Sequence, residues 1–187
     1  DDVPNFVFLK EDLHELKFGY DWDKCSKDVI LNRASFDGTK IVLPDGMSYR
    51  LLMLAPDKAV DLEVLRKVES LVKQGMTLLG PRPLTTTSLA EFPDCDKELK
   101  GITDRLWGKI DGISITENQY GKGKVIWGKN VNEVLAGMNV TPDFEFTSNQ
   151  DKTALDYIHR TTNEQEIYFI SNRFSRKEFN DFQYRYI

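Results

Sequence analysis

The sequence predicts an α/β fold: a mainly parallel sheet with helices packed against it, finished by antiparallel strands at the C-terminal end. Three observations lead there. Two short apolar runs, Leu51-Leu52-Met53-Leu54-Ala55 and Met76-Thr77-Leu78-Leu79, flank a charged stretch with helical periodicity. Strand, helix, strand at this length is a βαβ unit, whose two strands run parallel. After Pro142 the period changes to two, as in Phe144-Glu145-Phe146, so antiparallel strands follow the βα units. The chain of 187 residues is 40% hydrophobic and 29% charged, enough to build a core without covalent staples.

The elements follow in order. Asp23 to Asn32 reads as a short helix carrying Val29 and Ile30. Ser35 to Leu43 reads as a hairpin around Asp37-Gly38, and Pro44-Asp45-Gly46 as a second turn leading into the first buried strand. From Asp61, a plausible N-cap, apolar residues recur at Val64, Leu65, Val68, Leu71 and Val72, one face of a helix. Glu63 with Lys67 and Glu69 with Lys73 are i,i+4 pairs in the favourable order. Gly75 suits the left-handed position beyond the helix end. Asp94 is placed to cap a second helix with the stripe Cys95, Leu99, Ile102 and Leu106. Gly121 to Lys124 is a turn before Val125-Ile126-Trp127, and Val131 to Ala136 a short helix ended by Gly137. Leu155 to Arg160 and Ile167 to Ile170 pair around a turn at Asn163 to Gln165, with Ile158 expected inward if Arg160 lies near the strand end, and Phe182 to Ile187 is a last strand candidate.

Charge excludes one partner class. Lys and Arg number 25 against 30 Asp and Glu, a net charge of −5, whereas phosphate binding wants a basic face. Nucleic acid is therefore not expected as the main partner. No window is long and apolar enough for a membrane span, so no membrane partner is expected either. Cys25 and Cys95 form no C-x-x-C pair and read as two small buried or half-buried thiols, the alternative being one disulfide between them. The first residues, Asp1-Asp2-Val3-Pro4-Asn5, lack the basic-then-apolar pattern of a signal peptide.

Candidate chemistry concentrates at three residues. Gly80-Pro81-Arg82-Pro83 leaves the carboxyl end of a parallel strand, where ligands of open α/β sheets sit. Arg82 there meets an anionic or hydroxylated ligand or a neighbouring domain, or else is a solvated side chain on a stiff exit turn. In Tyr157-Ile158-His159-Arg160, alternation sends Tyr157 and His159 to one face and Ile158 and Arg160 to the other. His159 is a candidate contact for a sugar or partner and Arg160 for a carboxylate; the alternatives are a cross-strand hydrogen bond and a surface charge. Phosphate-binding patterns (G-x-x-x-x-G-K-S/T, G-x-G-x-x-G) and the G-x-S/C-x-G nucleophile elbow are absent. His14 lies in a polar stretch, and two histidines without other soft ligands do not make a transition-metal site. Asp45, Asp111, Glu117 and Asp143 are scattered, with no spacing that marks a catalytic pair. Trp107, Tyr120 and Trp127 are candidates for sugar stacking, although Trp107 and Trp127 follow apolar runs and suit core packing.

An ordered series of segments carries a family resemblance. "LNRASFDGTKIVLPDGMSYRLLMLAP" followed by "LVKQGMTLLGPRP", then "LWG", "GKGKVIWG", "PDFEF" and "YIHRTTNEQEIYFISNR", resembles part of the large bacterial α-L-rhamnosidases of glycoside hydrolase family 106. The match runs from about Tyr20 to Arg173. The resemblance implies multidomain enzymes whose catalytic carboxylates and calcium site sit in a (β/α)₈ barrel and hydrolyse rhamnosides with inversion. This chain is too short to include that barrel and matches none of the family's catalytic motifs, so no catalytic residue, metal ligand or cofactor is carried over.

The implied identity is an accessory α/β domain, residues 1–172, whose first core strand is missing, with 173–187 leading into a β-sandwich. Its implied plan is a flavodoxin-like or class I glutamine-amidotransferase-like three-layer core. The implied partners are the other domains of the parent glycosidase and a plant or bacterial polysaccharide, and the implied location is periplasmic or secreted. An independent carbohydrate-binding or protein-interaction module is the alternative.

Overall fold

The computed structural model describes residues 16, 19–88, 90, 92–148, 153 and 155–172, and the backbone of 183–186. His14, the segment 1–5, Arg173 and the start of the expected tail lie outside the described residues. The chain divides into two compact units, one holding residues 22–141 and the other 19–21 with the described residues from 142 onward. The division falls where the sequence period changes.

In the first unit, the stretch 27–33 is a short helical segment that takes π-helical geometry over Val29–Arg33 and buries Ile30. A three-stranded antiparallel meander follows: β1 (Ser35–Phe36), β2 (Ile41–Val42) and β3 (Ser48–Tyr49). The Asp37 carboxylate closes the first turn by accepting from the Thr39 and Lys40 amides. The second turn leads into β3 and not directly into the buried strand, because Ser48 and Tyr49 first pair back on β2.

The main sheet contains β4 (Leu52–Met53), β6 (Thr77–Leu79), β8 (Glu117–Tyr120) and β9 (Gly123–Ile126), in the order β4-β6-β9-β8. β4, β6 and β9 are parallel neighbours, while β8 closes the edge antiparallel to β9. Between β4 and β6 lie β5 (Ala59–Val60) and helix α1 (Leu62–Gln74). The Asp61 carboxylate caps α1 by accepting from the Glu63 and Val64 amides. Gly75 ends it at φ +140°, where a side chain would strain the backbone. β5 pairs in parallel with β7 (Thr85–Thr86). Helix α2 (Asp94–Trp107) buries Cys95, Leu99, Ile102 and Leu106, the expected stripe, with Thr103 and Trp107 added. Its N-cap is Pro93, not Asp94. Asp94 and Asp96 instead occupy the first turn, where carboxylates complement the helix dipole.

One core joins these parts. Leu52, Leu78 and Val125 stand side by side across three strands and belong to the same buried cluster as Val64, Leu65, Val68 and Val72 of α1 and Leu99, Ile102 and Leu106 of α2. Leu79 and Ile126, pointing the other way by strand alternation, are buried as well. Glu63 and Glu69 serve tertiary contacts: Glu63 reaches Lys27, and Glu69 reaches Arg105 and Tyr120. Helix α3 (Val131–Gly137) starts at Asn130, whose side chain accepts from the Asn132 amide.

In the second unit, β10 (Phe144–Thr147) pairs antiparallel with β13 (Gln183–Tyr186). β11 (Leu155–Thr161) pairs antiparallel with β12 (Glu166–Asn172), in the register Leu155↔Asn172 to Thr161↔Glu166. The fold is thus a mixed α/β fold, partly parallel and partly antiparallel. The main sheet is mostly parallel and the β5–β7 pair is parallel, whereas the β1-β2-β3, β10–β13 and β11–β12 sheets are antiparallel. Cys95 is buried and Cys25 half-buried, and no disulfide joins them. Burial, then the charge of Asp23, pushes the Cys25 thiol up, away from the reactive thiolate. Among the described residues no helix is long and apolar enough to cross a membrane.

Candidate functional site

The structure places the three predicted residues in two separate settings, one in each compact unit. Arg82, at the exit of β6, turns onto α2. Its Nη2 donates to Thr103 Oγ1 at 3.1 Å and pairs with the Asp104 carboxylate. Thr103 is almost fully buried. Lys100, and after it Arg82, hold the Asp104 carboxyl below the usual carboxylate range. A second tie acts at the same exit: the Trp107 indole N–H donates to the Gly80 carbonyl at 3.0 Å, inside the core. The Gly-Pro-Arg-Pro turn is therefore anchored to α2 by three contacts: Arg82 to Thr103, Arg82 to Asp104, and Trp107 to the Gly80 carbonyl.

His159 and Arg160 lie on β11. Alternation turns His159 with Tyr157 towards the half-buried face of the hairpin and leaves Arg160 with Ile158 exposed. The expectation that Ile158 points inward is thus overturned. Phe144, fully buried, stacks on Tyr157 at 5.1 Å and meets Tyr168 at 5.9 Å. That aromatic cluster buries more area than an isoleucine face, and so selects the inward side.

The imidazole of His159 stands between two carboxylates. Nδ1 is 2.9 Å from Asp143 Oδ2, and Nε2 is 2.5 Å from Glu166 Oε2. The ring stacks on Tyr168, its cross-strand partner, with centroids 4.1 Å apart, and the Tyr168 hydroxyl donates to Asp143 Oδ1 at 3.1 Å. Glu166 also accepts from Thr161 Oγ1 at 2.7 Å. Thr161, then His159, hold the Glu166 carboxyl below its ordinary range. Burial first, and then Asp143, push the Tyr157 phenol above its ordinary range. Arg160 uses one N–H on the His159 carbonyl at 2.8 Å.

The cluster joins β11, β12 and the entry to β10 through one ring. A doubly protonated imidazole donates to both carboxylates, whereas a neutral ring has one donor to share between them. Either way, a ligand reaches a ring nitrogen only by displacing a carboxylate. Of the scattered acids, only Asp143 joins His159. Asp45 pairs with Arg33, Glu117 with Lys129, and Asp111 accepts the backbone amides of Ile113, Ser114 and Ile115. Glu166 and Tyr168 escaped prediction as partners, although a turn at 162–165 sets Tyr168 opposite His159. The stacking candidates are occupied: Trp107 is buried, Tyr120 donates to Glu69 at 3.0 Å, and Trp127 is packed against the core. Among the described residues no group of three His, Cys, Asp or Glu side chains is placed to hold a metal ion.

Comparison with known proteins accounts for nearly the whole chain. A protein of Formosa agariphila, named provisionally as a beta-glucuronidase, is 34% identical over 185 residues, which is 98% of this chain and 14% of that protein. The solved structure of a rhamnosidase from Novosphingobium sp. PP1Y superposes with a TM-score of 0.67 at 30% identity, covering 76% of this chain and 13% of that one. The chain thus spans about one seventh of the length of these relatives. The sequence pattern of glycoside hydrolase family 106, alpha-L-rhamnosidase, matches residues 1–186, and the chain belongs to that family.

Proposed function

We propose that this chain is a non-catalytic structural domain of a multidomain α-L-rhamnosidase-like glycoside hydrolase. The observation that carries the reading is the asymmetry of the match: 98% of this chain corresponds to 14% of a larger glycosidase. The geometry supports it. An inverting pair of acids stands roughly 6.5–9.5 Å apart with a sugar and a water between them. Asp143 and Glu166 are instead both engaged by the His159 ring, one at each nitrogen. Arg82 is spent on Thr103 and Asp104 within its own unit. The three parallel strands with a helical crossover suit a flavodoxin-like or glutamine-amidotransferase-like plan for the accessory domain.

The test is an assay of the purified chain on an aryl α-L-rhamnoside, with and without calcium. The expected result is no turnover by the chain alone, and turnover only by the polypeptide that carries the remaining family domains. Turnover by the chain that disappears in Asp143→Asn or Glu166→Gln would overturn the proposal. A carbohydrate-binding module built on Trp107, Tyr120 and Trp127 has less support, because Trp107 is buried, Trp127 and Tyr120 pack against the core, and Tyr120 also donates to Glu69.

A further inference from the structure

The hairpin β11–β12 has two faces, and among the described residues one of them packs on its own unit while the other is exposed. The inward face carries Tyr157, His159 and Tyr168 against Phe144 and Asp143. On the outward face, register sets Ile158 opposite Phe169 and Arg160 opposite Ile167. Ile158 is 51% exposed, Ile167 48% and Phe169 68%. An antiparallel sheet that faces water normally does so with polar side chains. Three large apolar residues in two adjacent cross-strand pairs form a patch of the kind that marks an interaction surface. Among the described residues the hairpin forms a sheet of two strands, which is marginal without a further layer.

We propose that this outward face is the seat of another domain of the same long polypeptide, one presenting an apolar surface with a carboxylate at its edge to receive Arg160. The proposal rests on the reading of this chain as one domain of a larger glycosidase. The chain matches only 13–14% of its relatives' length, so most of a related polypeptide lies outside it and is covalently at hand to cover the patch. The charge pattern sets the edge: Arg160 is exposed and commits one N–H to the His159 carbonyl, and its guanidinium keeps further donors for a carboxylate. Ile158, Phe169 and Ile167 form the apolar centre, in the arrangement of apolar core and polar rim that interfaces share.

The test compares the 187-residue chain with the long polypeptide by hydroxyl-radical footprinting and mass spectrometry. In the long polypeptide, oxidation of Phe169 and Ile158 is expected to fall by roughly fivefold or more, as their surface leaves water. The isolated chain is expected to sediment as a monomer. The double substitution Ile158→Ser, Phe169→Ser is expected to leave the isolated chain's denaturation midpoint unchanged and, in the long polypeptide, to return Ile167 to the oxidation rate of the isolated chain. Equal oxidation in both proteins overturns the proposal, as does a dimer of the isolated chain that protects the same residues. If the flanking reading frame encodes no further glycosidase domain, or the chain alone hydrolyses the rhamnoside, the underlying reading fails and the proposal with it. Footprints that fail to differ while the long polypeptide is active overturn the docking surface alone.

Discussion

Replacing Trp107 by Phe tests whether the exit of β6 is held from inside the core. Trp107 is fully buried, and its indole N–H donates to the Gly80 carbonyl at 3.0 Å. The substitution keeps an aromatic ring and removes the donor. The buried Gly80 carbonyl loses this partner, at a cost of about 1–3 kcal/mol. The indole is larger than the phenyl ring by roughly 40 Å³, and at about 24 cal/mol per Å³ an unfilled gap adds about 1 kcal/mol. The expected loss is therefore about 2–4 kcal/mol. The assay is urea denaturation followed by far-UV circular dichroism, because the substitution removes a fluorophore. Amide exchange in the Gly80–Arg82 turn gives the local readout and should quicken along with the global loss. A loss below about 0.5 kcal/mol, the range of ordinary surface substitutions, would refute the claim that the indole holds this turn.

Two further perturbations address other links. Val68→Asp places a carboxylate at a position with no exposure, in the centre of the α1 stripe; an uncompensated buried charge costs about 3–5 kcal/mol. A soluble, cooperatively folded variant with a native-like denaturation midpoint would show that α1 does not cover the sheet as described. Asp111 tests linkage. The amides of Ile115, Ile113 and Ser114 hold its carboxyl below the usual range. A folded-state value lower than the unfolded one makes the contribution complete above the unfolded pKa, about 3.9, and lost as pH falls through the lower folded value. The amide shifts of Ile113 to Ile115 should therefore titrate below the ordinary aspartate range, and Asp111→Asn should abolish that titration. A midpoint at or above the ordinary value would refute the assignment.

The βαβ unit was legible because three independent signals agree over Leu51 to Leu79: two runs of buried-strand character, a helical stripe and matched end signals at Asp61 and Gly75. Where one signal stood alone, the reading slipped. Asp94 has the chemistry of an N-cap, yet the helix begins one residue earlier in register, with Pro93 at the cap. β8 went unread because Glu117-Asn118-Gln119-Tyr120 has no apolar alternation. It exists as an edge strand whose side chains tie outward elements together, Tyr120 to Glu69 and Asn118 to the carbonyls at the end of α2. The acids of the expected i,i+4 pairs on α1 are taken by partners from other elements: Glu63 meets Lys27, and Glu69, largely buried, meets Arg105 and Tyr120. Long-range pairs of this kind leave no periodic trace in the sequence.

The hairpin shows why the candidate site was half visible. Alternation divides β11 into Tyr157 and His159 on one side and Ile158 and Arg160 on the other, but it does not say which side is core. Hydropathy alone chooses Ile158. The decision is made by Phe144, thirteen residues before Tyr157 and on another strand, whose ring stacks on Tyr157 and lies near Tyr168. Once the aromatic side is inward, His159 is drawn into a half-buried place where its two nitrogens need partners. Asp143, next to Phe144, and Glu166, across the turn, are the carboxylates that the same packing brings within reach. The acid–imidazole–acid arrangement is thus a consequence of the aromatic packing. Ile158, Ile167 and Phe169 remain on the far side because one core cannot bury both faces of a two-stranded sheet. A hairpin apolar on both faces requires two neighbours, and the second unit supplies the first of them at Phe144.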